Sequence, residues 1–257
     1  MSKKRLDILL VERGLAESRA QAQALVMAGL VAGYDKAGQQ VDESAPLTVE
    51  QGPAYVSRGG RKLAYGLDRL GVDPRGLDVL DVGASTGGFT DALLQLGAAR
   101  VIALDVGYGQ LHPRLRDDPR VVVLERVNAR ALTELPFAPQ LVVCDVSFIS
   151  VRTALPPALR LAAPAWQAVV LVKPQFEAGR ADVGKGGVVR DPVVRARVLR
   201  EIAAAALGWG ASVAGVVDSG LPGPKGNREL FLHLVQSDHP TLPDDFDERI
   251  DAALAAG

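Results

Sequence analysis

Cysteine is almost absent from this sequence, and the one thiol, Cys144, excludes an internal disulfide and fits a reducing compartment. Histidine is scarce too. His112, His233 and His239 are scattered and have no cysteine partner, so no metal site is expected. No apolar run approaches the length of a membrane span, and Met1-Ser2-Lys3-Lys4-Arg5 is not followed by a signal-peptide core. An excess of one charge is also lacking. The formal net charge is −1, so any affinity for nucleic acid has to come from local patches. These absences lead to the expectation of a soluble, cytoplasmic protein with neither metal nor membrane partner.

What is present is an ordinary globular balance, 48% hydrophobic and 23% charged over 257 residues, enough for a core that needs no staples. The chain reads as two regions. In residues 1–50, Leu6, Leu9, Leu10 and Leu15 recur at helical spacing, and Ser18 is a good N-cap for a helix over Arg19–Ala28 that Gly29 would end. Short β-prone stretches, Leu30–Tyr34 and Leu47–Glu50, flank a turn-rich segment from Asp35 to Gln40. Residues 51–56 read as a linker, 57–237 as the main domain, and 238–257 as a tail that forms a short helix or stays mobile.

The main domain alternates strand and helix. Leu77–Val82, Arg100–Asp105, Val121–Glu125, Gln140–Asp145 and Gln167–Val172 are nearly continuous apolar runs, as strands buried on both faces should be. A helix over Pro192–Leu207 leads to two final strands near Ser212–Val217 and Glu229–Val235. The spacing predicts a doubly wound α/β sheet.

Two sets of residues then carry chemistry. The run Asp81-Val-Gly83-Ala-Ser85-Thr-Gly87-Gly88 closes the first strand of that sheet and opens a helix, where small residues and free N–H groups suit a close-fitting ligand. Asp105 ends the next strand, placed for the two hydroxyls of an adenosine ribose. A dinucleotide fingerprint would want glycine at Ser85; nicotinamide binding is therefore the minority reading. Open α/β sheets place chemistry beyond the carboxyl ends of their strands, and there stand Asp145 and Lys173. Lysine straight after four apolar residues is poorly placed for a solvated surface, and Pro174 stops the strand. An ion pair that merely seals the sheet edge is the alternative reading of Lys173 and Asp145.

The order Lys62, Asp145, Lys173, Glu229 around that loop resembles the Lys-Asp-Lys-Glu tetrad of the FtsJ-like ribose 2′-O-methyltransferases. The stretches Tyr55–Gly59, Asp81–Thr90, Asp105–Leu111, Asp145–Ser150, Lys173–Glu177, Val183–Pro192 and Lys225–Glu229 are similar to the TlyA (hemolysin A) family of rRNA methyltransferases. This resemblance implies a Rossmann-like class I sheet, mostly parallel, with seven strands and the last antiparallel. It implies S-adenosylmethionine as cofactor, Asn128 at the adenine ring, ribosomal RNA as partner and the 2′-hydroxyl of a cytidine as target. The N-terminal region resembles the RNA-binding fold of ribosomal protein S-four, on Arg5-Leu6-Asp7, Arg13-Gly14, Ser18-Arg19 and Gly29-Leu-Val.

Residues 1–50 hold six Lys/Arg against seven Asp/Glu, yet Lys3, Lys4, Arg5, Arg13 and Arg19 are expected in the two helices, where one face could meet phosphates. Arg58 and Arg61 flank the tetrad's first lysine, and the glycine-rich stretch from Pro174 to Pro192 carries Arg180 and Lys185 as a basic clamp. Lys173 is expected to take the hydroxyl proton. A nearby Lys62 charge would weaken its hold on its own proton, with Asp145 orienting it and Glu229 placing Lys62. Amino-directed base methyltransferases carry a Pro-Pro-aromatic run after strand four; Val146 and Ser147 stand there instead, which favours ribose chemistry. An RNA-binding assembly factor with an inert methyltransferase-like domain is the non-enzymatic alternative. The hemolysin label finds no long amphipathic segment here.

Overall fold

The computed structural model describes residues 3–27, 30–49 and 54–256. The chain separates into two compact units, 1–54 and 55–257.

In the first unit, strand β1 (Lys3–Arg5) runs into helix α1 (Leu6–Glu12), followed by α2 (Arg19–Met27) and strand β2 (Gln40–Asp42). Leu6, Leu9 and Leu10 are buried with Ala22, Val26, Val31 and Val41, so the helical spacing read from the sequence is the core face. Ser18 caps α2: its Oγ accepts from the Gln21 N–H at 3.2 Å. Ala28, Gly29 and Glu50, which the helix end and the second β-stretch invoked, lie outside the described residues.

The two β-prone stretches are not regular strands. Residues 30–34 and 47–49 meet only at a single Val31–Val49 bridge, because Gly33 turns the chain away at φ +80°. The regular ladder is instead β1 against β2, antiparallel, with Lys4 opposite Val41. Lys3, Lys4 and Arg5 therefore lie on a strand rather than in a helix.

The second unit contains strands β3 (Asp78–Val82), β4 (Arg100–Asp105), β5 (Val121–Glu125), β6 (Leu141–Cys144), β7 (Gln167–Val172), β8 (Ala211–Asp218) and β9 (Leu230–Gln236). They form one sheet in the order β5-β4-β3-β6-β7-β9-β8, parallel except that β9 is antiparallel to both neighbours. The strand period of two divides the core. Val79, Val101, Val143, Val169 and Leu171 pack on one face with α3 (Arg58–Leu70) and α4 (Gly88–Gln95). Leu80, Ile102, Val142, Val170 and Leu232 pack on the other with α6 (Val151–Arg160) and α8 (Pro192–Leu207). Two single-turn helices, α5 (Pro113–Arg116) and α7 (Pro174–Glu177), fill connections.

Residues 246–256 form α9, whose Phe246, Ile250 and Ala253 are buried in the second of these clusters. This part of the expected tail is a working layer of the sheet. The long stretch after β7 is likewise not structureless: α7, a 3-10 turn over Arg180–Asp182 and a tight hairpin closed by a Gly184–Val188 bridge occupy it. The chain leaves central β3 toward β4 on one side and joins β6 on the other. That reversal opens a crevice at the carboxyl ends of these three strands.

Candidate active site

A cleft of about 630 Å³ occupies the crevice, lined by Gly83, Ser85, Asp105, Gln110, Asn128 and Asp145 among polar groups, with Val106, Val127, Val146 and Ile149 as apolar wall. Asp105 is anchored rather than loose. It accepts from the Ser85 N–H at 2.8 Å and the Gly107 N–H at 2.6 Å, which leaves each carboxylate oxygen a further lone pair. Asn128 borders the cleft while its Oδ1 accepts from the Arg130 N–H at 3.2 Å.

The glycines of the loop are required by the protein's own packing. A Cβ at Gly83, where φ is +90°, would lie 2.6 Å from the Asp145 carbonyl oxygen. One at Gly88 would lie 2.1 Å from Ser57 Oγ, so α3 and α4 approach closely only without it. Gly87 borders neither this cleft nor the smaller pocket beside it; its Cα faces Leu111 and Leu115.

Asp81 lies beneath the loop, fully buried, accepting from Thr90 Oγ1 at 2.7 Å with Oδ2 while Oδ1 has no hydrogen-bond partner among the described residues. Burial pushes its carboxyl up to about 7, against the Thr90 bond and with help from the charges of Asp145 and Asp105. The folded state thus keeps a proton that the unfolded chain releases near pH 4, and stability falls as pH rises from about 4 to 7. Thermal unfolding across that window should show a declining midpoint for the wild type and a flatter profile for Asp81→Asn. Equal slopes would contradict this reading of Asp81.

A second pocket, about 180 Å³, adjoins the cleft through Gly83, Ser85, Asp145 and Ser147, and adds Ser57, Gly59, Gly88 and Lys173. Lys173 follows β7 directly and is lodged between the Asp145 carboxylate, an ion pair at 2.5 Å to Oδ1, and Ser147 Oγ, which accepts its hydrogen bond at 2.9 Å. Burial raises the Asp145 carboxyl although Lys173 beside it pulls the other way. The remaining two tetrad residues form their own pair: Lys62 Nζ donates to Glu229 Oε2 at 2.5 Å, with both side chains buried. Neither lines the small pocket. Gln175 donates to the other Glu229 oxygen at 3.3 Å. Glu229 compensates the Lys62 charge at contact distance.

With this geometry in hand, comparison with known sequences is decisive. The sequence profile of FtsJ-like methyltransferases matches residues 55–236. The chain belongs to the FtsJ-like methyltransferase family. An S4 domain profile matches residues 4–32 ahead of the FtsJ-like domain. The 16S/23S rRNA (cytidine-2′-O)-methyltransferase TlyA of Mycobacterium tuberculosis is 47% identical, with 98% of each chain covered. The 23S rRNA (cytidine-2′-O)-methyltransferase TlyA of Campylobacter jejuni is 37% identical over 71% of this chain and 72% of its own. A solved structure from Streptococcus thermophilus, described as a candidate hemolysin, superposes with a TM-score of 0.74 at 40% identity, covering 98% of this chain and 96% of its own.

The basic residues expected at RNA fall into two groups. In the S4 region most are engaged internally: Arg5 and Arg19 both grip buried Asp7, Lys4 pairs with Glu12, and Arg13 donates to the carbonyls of Glu43 and Ala45. Those bonds, Arg5 foremost, hold the Asp7 carboxyl well below the usual carboxylate range. Lys3 is exposed. On the FtsJ-like domain Arg58, Arg61, Arg180 and Lys185 are exposed, and none makes an ion pair among the described residues. Of the expected linker, residues 51–53 lie outside the described residues, and the Val56 N–H donates to Asp91 at 2.8 Å.

Sequence reading assigned no role to Ser57, Ser147, Phe148, Gln175 or Phe176. Phe148 is 91% exposed and held at φ +64°, with its ring centroid 5.0 Å from that of Phe176. A positive φ is costly for an aromatic residue, and strain of this kind gathers at functional sites. The signal available in the sequence was proximity: Ser147 and Phe148 follow Asp145, and Gln175 and Phe176 follow Lys173.

Proposed function

We propose that this chain is an S-adenosylmethionine-dependent rRNA (cytidine-2′-O)-methyltransferase acting in the cytoplasm, with Lys173 as the residue that takes the ribose proton. The observation that carries the reading is the Lys173 amine, held by Asp145 and Ser147 in a pocket that opens onto the Gly83 turn.

The cleft fits the cofactor. A cationic nucleoside suits a crevice with Asp105 and Asp145 on its wall, an apolar flank from Val127 and Ile149, and the unsatisfied Asp81 carboxyl below. Gly83, Ser85, Gly88, Asp105 and Asn128 would hold it, with Asp81 and Gly87 shaping the turn from beneath. When bound, S-adenosylmethionine supplies a methyl group already activated on a sulfonium. The protein's share is alignment and removal of one proton from a neutral hydroxyl, a poor nucleophile at pH 7.

Lys173 must shed a proton before it can accept one at Nζ. Asp145 is the nearest site to receive it, and burial, by raising the Asp145 carboxyl, favours that transfer. The Lys62–Glu229 pair behind fixes α3 against β9 and keeps the pocket wall in place. The exposed Phe148 ring offers a stacking face for a nucleoside base. Arg58, Arg61, Arg180 and Lys185 supply cations for the phosphate backbone, together with Lys3, Lys4, Arg5, Arg13 and Arg19 of the S4 region. In that region the internal bonds to Asp7, Glu12 and the backbone orient Lys4, Arg5, Arg13 and Arg19.

Incubation of the purified chain with ribosomal RNA and methyl-labelled S-adenosylmethionine tests the reading. Label should persist in alkali-resistant dinucleotides, because a methylated 2′-oxygen can no longer attack the neighbouring phosphodiester. Label recovered entirely in mononucleotides would assign the methyl group to a base.

A further inference from the structure

The hairpin that carries Lys185 is too short to stand alone. Its closure rests on one bridge, Gly184 N–H to Val188 O at 3.1 Å, and a Gly187 N–H to Gly184 O bond at 3.0 Å. Gly186 and Gly187 turn the tip at φ +83° and +78°. What secures it is a buried amide from elsewhere. Asn227, 3% exposed, accepts from the Val189 N–H with Oδ1 at 3.1 Å and donates from Nδ2 to the Gly187 carbonyl at 2.9 Å. Those two bonds use the acceptor atom and the donor atom of one side-chain amide. Arg195 secures the far side through the carbonyls of Val189 and Arg190.

The same residue touches the tetrad through its own turn. The Asn227 carbonyl accepts from the Gly223 N–H at 2.7 Å, and Gly223 lies against the Glu229 carboxylate so closely that a Cβ there would come within 2.2 Å of Oε1. A continuous line of contacts therefore runs from the hairpin through Asn227 and its turn to Glu229 and Lys62.

We infer that Asn227 is a positioning residue: it sets the Gly184–Val188 hairpin, and with it the exposed Lys185 ammonium, in register with the Glu229 end of the catalytic cluster, so that RNA held by the hairpin meets the Lys173 pocket correctly aligned. This rests on the reading of Lys185 as a phosphate contact. Asn227 does not touch the reacting atoms.

The full chain is the test object. Asn227→Asp preserves size and the bond from Val189 but sets an acceptor against the Gly187 carbonyl; Asn227→Ala removes both bonds. Asn227→Asp should raise the KM for ribosomal RNA about tenfold, the consequence of losing one buried hydrogen bond in the RNA-binding geometry, and Asn227→Ala, which loses two, at least as much. In each, kcat and S-adenosylmethionine affinity should stay within about twofold, the signature of lost substrate positioning. Trypsin should cut after Lys185 faster than in the wild type. In a Lys185→Ala background the same substitutions should add under about twofold, since no cation is left to place. An unchanged KM in Asn227→Asp, or an effect that multiplies fully with that of Lys185→Ala, overturns the inference. If Lys185→Ala alone leaves KM unchanged, the hairpin is not an RNA arm, and both readings fail together. If Lys185→Ala raises KM while Asn227→Asp does not, only the role of Asn227 falls.

Discussion

Lys173→Ala is expected to reduce methyl transfer by about 10²- to 10⁴-fold, the range for loss of a positioned acid–base group. S-adenosylmethionine affinity, read by titration calorimetry, should stay within about twofold, since Lys173 borders only the smaller of the two cavities. Lys173→Arg separates proton acceptance from charge. Arginine keeps a cation beside Asp145 and Ser147 but cannot give up its proton in the working pH range. It should therefore be as inactive as alanine. Substantial activity in Lys173→Arg would assign Lys173 an electrostatic role and move proton acceptance elsewhere.

The buried Lys62–Glu229 pair gives the second large effect. Breaking such a pair leaves a charge without compensation, and Glu229→Ala should cost about 3–5 kcal/mol of stability, measured by denaturant unfolding. A coupled Lys62→Met, Glu229→Leu variant should recover much of that loss, because apolar groups of similar size replace an ion pair at little net cost. Activity should not return with stability if the pair serves the reaction. Recovery of both would reduce it to a packing element. The distinction matters because Lys62 and Glu229 line no part of the small pocket, whereas Lys173 and Asp145 do.

Much of the second unit was legible in the sequence because its inner strands are buried on both faces, and the half-buried edge strand β5 is an apolar run as well. Arg100–Asp105, Val121–Glu125 and Gln167–Val172 are apolar runs of strand length, and the α8 limits at Asp191-Pro192 are marked by a cap and a proline. Three-residue strands offer no such period, so β1 and β2 were not legible, and the two β-prone stretches hold only the bridge at Val31–Val49. For residues 246–256 a short helix and a mobile tail both stayed open, because Phe246, Ile250 and Ala253 are sparse among acids and alanines; packing against β8 and α8 makes them a helix.

The candidate site divides in the same way. Asp145 and Lys173 announce themselves as charges at the ends of apolar strands, and the structure brings them to 2.5 Å. Lys62 and Glu229 are 167 residues apart and carry no local sign of each other; resemblance alone singled them out. The internal engagement of Arg5 and Arg19 with Asp7 was illegible, since the two arginines lie on different elements and Asp7 looks like an ordinary surface acid in sequence. Asn227 falls in the Lys225–Glu229 stretch but carries no role of its own in the sequence, unlike Asn128, the other asparagine of the chain.

The most direct measurement is nucleoside mass spectrometry of ribosomal RNA from cells lacking this chain, compared with the parent and with cells expressing the Lys173→Ala variant. A cytidine whose extra methyl stays with the sugar on fragmentation should be present in the parent and missing from the other two. A methyl that travels with the base, or a ribose-methylated cytidine that persists without the chain, would contradict the assignment.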